Sequence, residues 1–393
     1  MRVRLESIGC RLNYGEIDTL ARELAAAGHR VVGPGEAADL CIFNSCTVTG
    51  TAARKSRHVL RQLRRSEPDA ALVVTGCFSD LEPELAHQIG VELVVMNRDK
   101  EALPEILARA GLLRDEPVRH IAGPTDVTGT GPSGRTRAFL KVQDGCDNRC
   151  AFCIVTIARG AGRSRAPQVV VGEVHRLHAE GFKEIVVSGV HLGSYGHDLG
   201  ASGGLERLVR RILGETDVPR IRLSSIEPWA LDQGFLELFH DHRVLPHLHL
   251  PLQSGCEITV RRMGRRTDHD GLRRLLDVAR SIAPAISIST DIMVGFPGET
   301  DDEFSKSLAF VESAGFSRLH VFRFSPREGT PAATMPDRVP GSIVKERSKK
   351  MLDLGARLEE DFNLRFVGTT LPVLWESRER AGNGLRWSGL TDN

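Results

Sequence analysis

The chain has 393 residues, of which 41% are hydrophobic and 26% charged, with a formal net charge of +1. Such a length supports two or three domains with sizeable cores. The balanced charge excludes a uniformly basic or acidic protein, so any nucleic-acid contact must come from local patches. No run approaches the ~18 apolar residues of a membrane span, and Met1-Arg2-Val3-Arg4-Leu5-Glu6 lacks the apolar stretch of a secretory signal. The expected location is the cytoplasm, with no membrane partner. In that reducing compartment the eight cysteines are read as metal-binding or catalytic before they are read as disulfides.

In chain order, "RVRLESIGC" alternates apolar residues and predicts a strand ending at Cys10. "NYGEIDTLARELAAAGH" carries Ile17, Leu20 and Leu24 at helical spacing and stops at Gly28. "ADLCIFNSC" predicts a buried strand ending at Cys46, then comes a basic helix, and "ALVVTGC" predicts a third strand ending at Cys77. Strands alternating with helices predict a parallel sheet with helices packed on it, and such sheets bind ligands at the carboxyl ends of their strands. A lone free cysteine is ordinarily a small core residue. Cys10, Cys46 and Cys77 share a strand-end position, however, and are expected to converge as a metal site with three protein ligands. Cys41, mid-strand, is read as core, and Cys256 as a packed residue on a turn beside Gly255.

Residues 117–137 are rich in Gly, Pro, Thr and Ser, the composition of a linker. Strand–helix alternation then resumes, with strands expected at "AFLKVQ", "EIVVSGV", "RIRLSSI", "HLHLPLQ", "AISISTDIMVGF" and "RLHVFRFSP". Repeated βα units over this length predict a partial or full (β/α) barrel. The tail, "FVGTTLPVLWESRERAGNGLRWSGLTDN", reads as the opening strands of a small β-barrel. Being too short to close one, it leaves the expectation of a truncated chain. The expected α/β architecture is thus an N-terminal domain (1–116), a linker (117–134), a barrel (135–365) and an incomplete β-barrel (366–393).

Cys146, Cys150 and Cys153 lie in "GCDNRCAFC", with no further Cys or His at ligand spacing. A structural zinc site takes four protein ligands, whereas iron–sulfur clusters are held by thiolates at short spacings like these. Three thiolates on a four-iron cubane leave one iron open to a small molecule.

The Cys-x3-Cys-x2-Cys loop, with Phe152 before its last cysteine and a strand before it, resembles the radical S-adenosylmethionine superfamily. That resemblance implies a partial TIM-type barrel, a 4Fe-4S cluster and S-adenosylmethionine chelated at the open iron, the cofactors carrying the chemistry and the protein positioning them. It also implies cofactor contacts at successive strand ends: Ser188 and Gly189 in "VVSGVHLGSYG", Ser225 and Glu227 in "RLSSIEP", Gln253 in "LPLQSG", and Gly295 and Pro297 in "DIMVGFPGET".

The segments around Cys10, Cys46 and Cys77 resemble the methylthiotransferase subgroup, whose members carry a second three-cysteine cluster and end in a small RNA-binding β-barrel of the TRAM type. "GVHLGSYG", "RLSSIEP" and "HLHLPLQSGC" look most like the branch that adds a methylthio group to C2 of N6-threonylcarbamoyladenosine at position 37 of tRNA. The resemblance implies two 4Fe-4S clusters, the second presenting sulfur, and as partners a tRNA anticodon stem-loop, an external electron donor and a sulfur donor. Thr156-Ile157 before Ala158-Arg159-Gly160 departs from the Pro-aromatic pair usual in the family. Alternatives are an isopentenyl-adenosine tRNA substrate, a ribosomal-protein aspartate, or a zinc- or cluster-bearing RNA-binding module without catalysis. Two basic stretches, 53–65 and "RRMGRR" at 261–266, are candidate phosphate contacts.

Overall fold

A computed structural model describes residues 1–113, 136–200, 203–382 and 384–393; the expected linker at 117–134 lies outside the described residues. The first part is a parallel sheet of β1 (Arg2–Ser7), β2 (Arg30–Val32), β3 (Leu40–Ser45), β4 (Ala71–Gly76) and β5 (Leu93–Val95), in the order β2-β1-β3-β4-β5. Every residue of β3 is buried. Its Cys41 and Phe43 pack with Leu60 and Leu63 on one face, and its Leu40 and Ile42 with Leu20 and Leu24 on the other. Helices on both faces explain why this strand is a continuous apolar run and not an alternating one.

The second part begins with β6 (Arg137–Asp144), on which the short β7 (Arg163–Ser164) lies antiparallel. The parallel strands β8 (Glu184–Gly189) and β9 (Arg220–Leu223) continue that sheet. A further sheet holds β10 (His247–His249), β11 (Ser287–Val294) and β12 (Arg318–Arg323), also parallel. Single parallel bridges, Ile221 to Val244 and Ser225 to His249, join the two sheets. Six parallel strands therefore curve into a partial barrel, in which β6 and β12 do not pair.

Period-two alternation sorts the two faces of the barrel wall. Leu140, Val187, Leu223, Leu248 and Ile292 pack outward into the core shared with the surrounding helices. The opposite face therefore carries Lys141, Ser188, Arg222, His249 and Asp291. A closed eight-stranded barrel fills its interior with branched apolar side chains; this polar inner wall suits a polar ligand.

The helix Arg11–Ala26 docks the first sheet against β6. Its Gly15 lies so close that an added Cβ would sit 2.6 Å from the Phe139 carbonyl oxygen. The tail forms one antiparallel hairpin, β13 (Val373–Ala381) and β14 (Gly384–Thr391). It is tied to the barrel by Arg137 to Glu376 (2.6 Å), by Arg222 to the Thr391 carbonyl (3.2 Å) and by an Arg220–Asp392 ion pair.

Candidate functional site

Because β1, β3 and β4 are neighbours, their carboxyl ends lie side by side. Cys10 caps the helix that follows β1, Cys46 follows β3, and Cys77 opens the helix Cys77–Leu81 after β4. The backbone at Gly9 (φ +118°) is pressed against Cys46, where an added Cβ would lie 3.0 Å from its Sγ. Asn13 donates to the Ile8 and Ser45 carbonyls, both at 2.9 Å, and its Oδ1 lies 3.7 Å from Cys10 Sγ. Arg159, from the barrel, reaches the same Asn13 oxygen at 2.9 Å and Cys77 Sγ at 3.4 Å. The three expected cysteines are thus gathered around Asn13 and one buried guanidinium.

The second trio follows β6. The Ala151 amide donates to the Met263 carbonyl and the Ala332 amide to the Ala151 carbonyl, each at 2.8 Å, fixing the loop against the barrel rim. The Asn148 amide lies 3.4 Å from Cys146 Sγ. Arg265 reaches Cys150 Sγ at 3.7 Å and the Pro251 carbonyl at 2.6 Å, and pairs with Glu227. Phe152 meets Phe296 edge-to-face, centroids 6.5 Å apart.

Burial pushes the thiols upward: Cys46 to about 11, Cys153 to about 12, and Cys146 and Cys150 in the same direction. A coordinating metal takes the proton from such a thiol. The spacing of the two trios is informative. Among the described residues, the only His/Cys/Asp/Glu group whose donor atoms all lie within 4.8 Å of one another is His249, Asp291 and His320; neither cysteine trio is so tight. Sulfurs bonded at about 2.3 Å to a single zinc ion would sit about 4 Å apart.

The other expected contact residues sit at the strand ends of the barrel with unequal freedom. The Ser188 hydroxyl is buried and donates to the Val186 carbonyl at 3.1 Å. An added Cβ at Gly189 would lie 3.0 Å from Gln143 Oε1. Ser225 is exposed. Burial raises the Glu227 carboxyl despite Arg265 beside it. Gln253 takes a left-handed backbone (φ 74°) and bridges to Ile292. Gly295, also left-handed (φ 76°), donates its amide to Glu299 at 2.8 Å, and the Pro297 carbonyl accepts from Arg262 at 3.4 Å.

One expectation needs correction. The stretch "RRMGRR" is not an outward basic turn: Arg262 is spent on Glu303 (2.7 Å) and Arg265 is buried against Glu227 and the cysteine loop. Only Arg261 and Arg266 of its four arginines are exposed. Sequence reading also missed Asn13, Arg159 and Arg265 as neighbours of the thiols. Arg159 stood in view in the "ARG" after the loop, but its partner Cys77 lies 82 positions away. Beside the loop, a cavity of ≈ 420 Å³ is lined by residues including Asp147, Asn148, His191, Trp229 and Arg266.

A partial barrel with a polar inner wall and a three-cysteine loop after its first strand defines a radical S-adenosylmethionine enzyme, and the Radical SAM superfamily model matches residues 140–311. Residues 2–96 match a model described as Uncharacterized protein family UPF0004. Two relatives named threonylcarbamoyladenosine tRNA methylthiotransferase MtaB are similar over nearly the whole chain. The one from Thermotoga maritima is 38% identical, covering 95% of this chain and 86% of its own; that from Bacillus subtilis is 34% identical, covering 100% and 88%. A tRNA-2-methylthio-N(6)-dimethylallyladenosine synthase from Bacillus velezensis is 31% identical, covering 96% and 76%. Among solved structures, the radical S-adenosylmethionine methyltransferase TsrM from Kitasatospora setae, with cobalamin and a 4Fe-4S cluster bound, shares the fold. Its TM-score is 0.61 at 17% identity, covering 84% of this chain and 77% of that one. The chain belongs to the radical S-adenosylmethionine methylthiotransferases. That family implies a 4Fe-4S cluster and S-adenosylmethionine as cofactors.

Proposed function

We propose that this protein transfers a methylthio group to C2 of N6-threonylcarbamoyladenosine at position 37 of tRNA. Cys146, Cys150 and Cys153 would hold the cluster that meets S-adenosylmethionine, and Cys10, Cys46 and Cys77 a second one. When bound, the first cluster supplies the electron that splits S-adenosylmethionine and so makes a hydrogen acceptor for the adenine C2. The protein's own residues orient and shield that centre: Arg265 and Asn148 donate toward the loop thiols, Glu227 and Gln253 stand at the barrel mouth beside it, and Arg159 holds Cys77. The observation that carries the reading is the gathering of Cys10, Cys46 and Cys77 around Asn13 and the barrel's own Arg159. A plain radical enzyme has no need of a second thiol trio at its mouth. The sheet within 1–116, the barrel within 135–365 and the hairpin within 366–393 are then the sulfur-presenting, radical and RNA-facing units. The anticodon stem-loop, an external electron donor and a sulfur donor are the partners, in the cytoplasm.

The test is anaerobic. Reconstituted protein, reductant and S-adenosylmethionine are given a threonylcarbamoyladenosine stem-loop, and nucleosides are read by mass spectrometry. The expected product is the 2-methylthio nucleoside. An unchanged stem-loop, with a dimethylallyladenosine stem-loop or a ribosomal protein modified instead, overturns the substrate; the 31% identical synthase makes the dimethylallyl substrate the second reading. Cys150→Ala is expected to abolish S-adenosylmethionine cleavage. Cys46→Ala is expected to keep cleavage and stop sulfur insertion.

A further inference from the structure

The barrel's inner wall carries a cluster that neither cysteine trio uses. His249 on β10, Asp291 on β11 and His320 on β12 stand on neighbouring strands. Asp291 Oδ1 lies 3.1 Å from His249 Nε2 and 3.4 Å from His320 Nδ1, and the two imidazoles stack with centroids 5.1 Å apart. His249 is pinned from behind: its Nδ1 is 2.9 Å from Ser289 Oγ, which also lies 3.4 Å from the Leu248 carbonyl. Its Nε2–H is the donor presented to Asp291.

The charges facing this group are unevenly matched. Asp291 answers two imidazoles. His247, one inward position before His249, lies in the field of Arg11 and Arg222 as well as of His249 and His320. Glu227, a further carboxylate in the field of His249 and Asp291, is committed to Arg265. Arg222 is answered by Glu184 at 2.7 Å, so at the cluster itself one carboxylate, Asp291, serves two imidazoles. Exposure is graded along it: the His249 side chain is 7% exposed, Asp291 22% and His320 42%. His320 is the member open to a ligand, and the other two hold it.

We propose that His320, oriented by Asp291 and backed by His249, recognises a carboxylate on the N6 substituent of the target adenosine. The inference rests on the substrate class proposed above and assigns a residue to its selection. The relatives act, by name, on adenosines whose substituents demand opposite walls: threonylcarbamoyl, which ends in a carboxylate, and dimethylallyl, which is wholly apolar. An apolar chain laid on this wall would strip water from Asp291 and two imidazoles without replacing their hydrogen bonds. With a proton on each ring nitrogen, His320 keeps one N–H on Asp291 and gives the other to a carboxylate in a charge-assisted bond. Sites built around buried polar groups reject the analogue that leaves them unpaired far more strongly than apolar pockets reject a polar one. The position is apt, because Glu227, which borders His249 and Asp291, is bonded to the same Arg265 that touches Cys150.

The experiment uses reconstituted holoenzyme and three stem-loops, bearing threonylcarbamoyladenosine, its carboxamide analogue of equal shape and no charge, and dimethylallyladenosine. His320→Ala and His320→Arg are compared with the parent, with iron content and S-adenosylmethionine affinity as controls for the fold. Loss of one hydrogen bond to a charged group is expected to raise KM for the threonylcarbamoyl RNA about 10- to 100-fold in His320→Ala. The carboxamide RNA should be little changed, and His320→Arg should recover most of the loss. The inference is overturned, with the substrate reading left standing, if the parent accepts carboxylate and carboxamide equally, or if His320→Ala weakens both alike. It is also overturned if His320→Ala loses iron or S-adenosylmethionine affinity, or if the parent holds a stoichiometric zinc or manganese ion, beyond cluster iron, that the variant lacks. A parent that modifies only the dimethylallyl RNA overturns the substrate reading and this one together.

Discussion

Arg265 gathers three partners from separate stretches of chain, the Glu227 carboxylate, the Pro251 carbonyl and Cys150 Sγ, while its own side chain is 3% exposed. Only a planar guanidinium with several fixed donors serves all three at once. In Arg265→Met, Glu227 keeps its burial and loses its counter-ion. Breaking one partner out of a buried pair costs about 3–5 kcal/mol, so the urea midpoint should fall while the slope stays constant. Arg265→Lys should recover little of it, since an ammonium cannot span the fork. A midpoint unchanged in Arg265→Met would show Glu227 to be solvated. At this scale the sequence was uneven. The six cysteines were legible because three share one loop and three share one position relative to strand ends. Arg265 was not: it stands 115 positions from Cys150, inside a run that local charge alone would turn to solvent.

The basic helix Gly50–Ser66 shows the same ambiguity at the scale of an element. Thr49 caps it, accepting from the Ala52 amide at 3.1 Å, a hydrogen bond whose removal in Thr49→Ala should cost about 1 kcal/mol. Leu60 and Leu63 bury one face, and Arg57 and Arg64 are drawn back to Glu82 (3.0 Å) and Glu92 (2.7 Å). Arg54, Lys55, Arg61 and Arg65 stay exposed. If these four meet phosphates, Arg61→Glu with Arg65→Glu should weaken tRNA binding by the holoenzyme. It should also flatten the dependence of log affinity on log salt by about 0.7–0.9 for each phosphate no longer neutralised. Fluorescence anisotropy across a salt series checks this, and an unaltered slope would make the helix a solvated face. Helices and long strands were readable here from periodicity; β2 and β5, three residues each, are too short to show any.

Strand–helix alternation was enough to foresee a parallel sheet followed by a barrel, but not how the two dock, because docking rests on charges far apart in sequence. Glu16 and Lys100 come from the first sheet's layer; Lys141, Asp144 and Arg159 come from the barrel. Lys100 meets Glu16 at 2.7 Å, Arg159 meets Glu16 at 3.2 Å and Asp144 at 2.8 Å, and Lys141 lies 3.5 Å from both carboxylates. The same Arg159 touches Cys77, so the network that joins the two layers also sets one of the thiols. Burial alone would raise the Glu16 carboxyl, yet Lys100, Arg159 and Lys141 outweigh it and hold it well below the usual range; Asp144 is lowered in the same way. A carboxyl lower in the folded than in the unfolded state lends stability above its unfolded value. That stability drains as pH falls from the ordinary carboxylate range toward the folded values. Urea unfolding between pH 7 and about pH 2 should therefore show the parent weakening at the acid end, chiefly below the ordinary carboxylate range. Glu16→Gln should begin about 3–5 kcal/mol lower at pH 7, with Lys100 and Arg159 left short of an anion. It should then lose less on acidification, because the ionisable group responsible is gone. Two curves that stay parallel down to about pH 2 would show that Glu16 is not the carboxylate linking pH to the union of sheet and barrel.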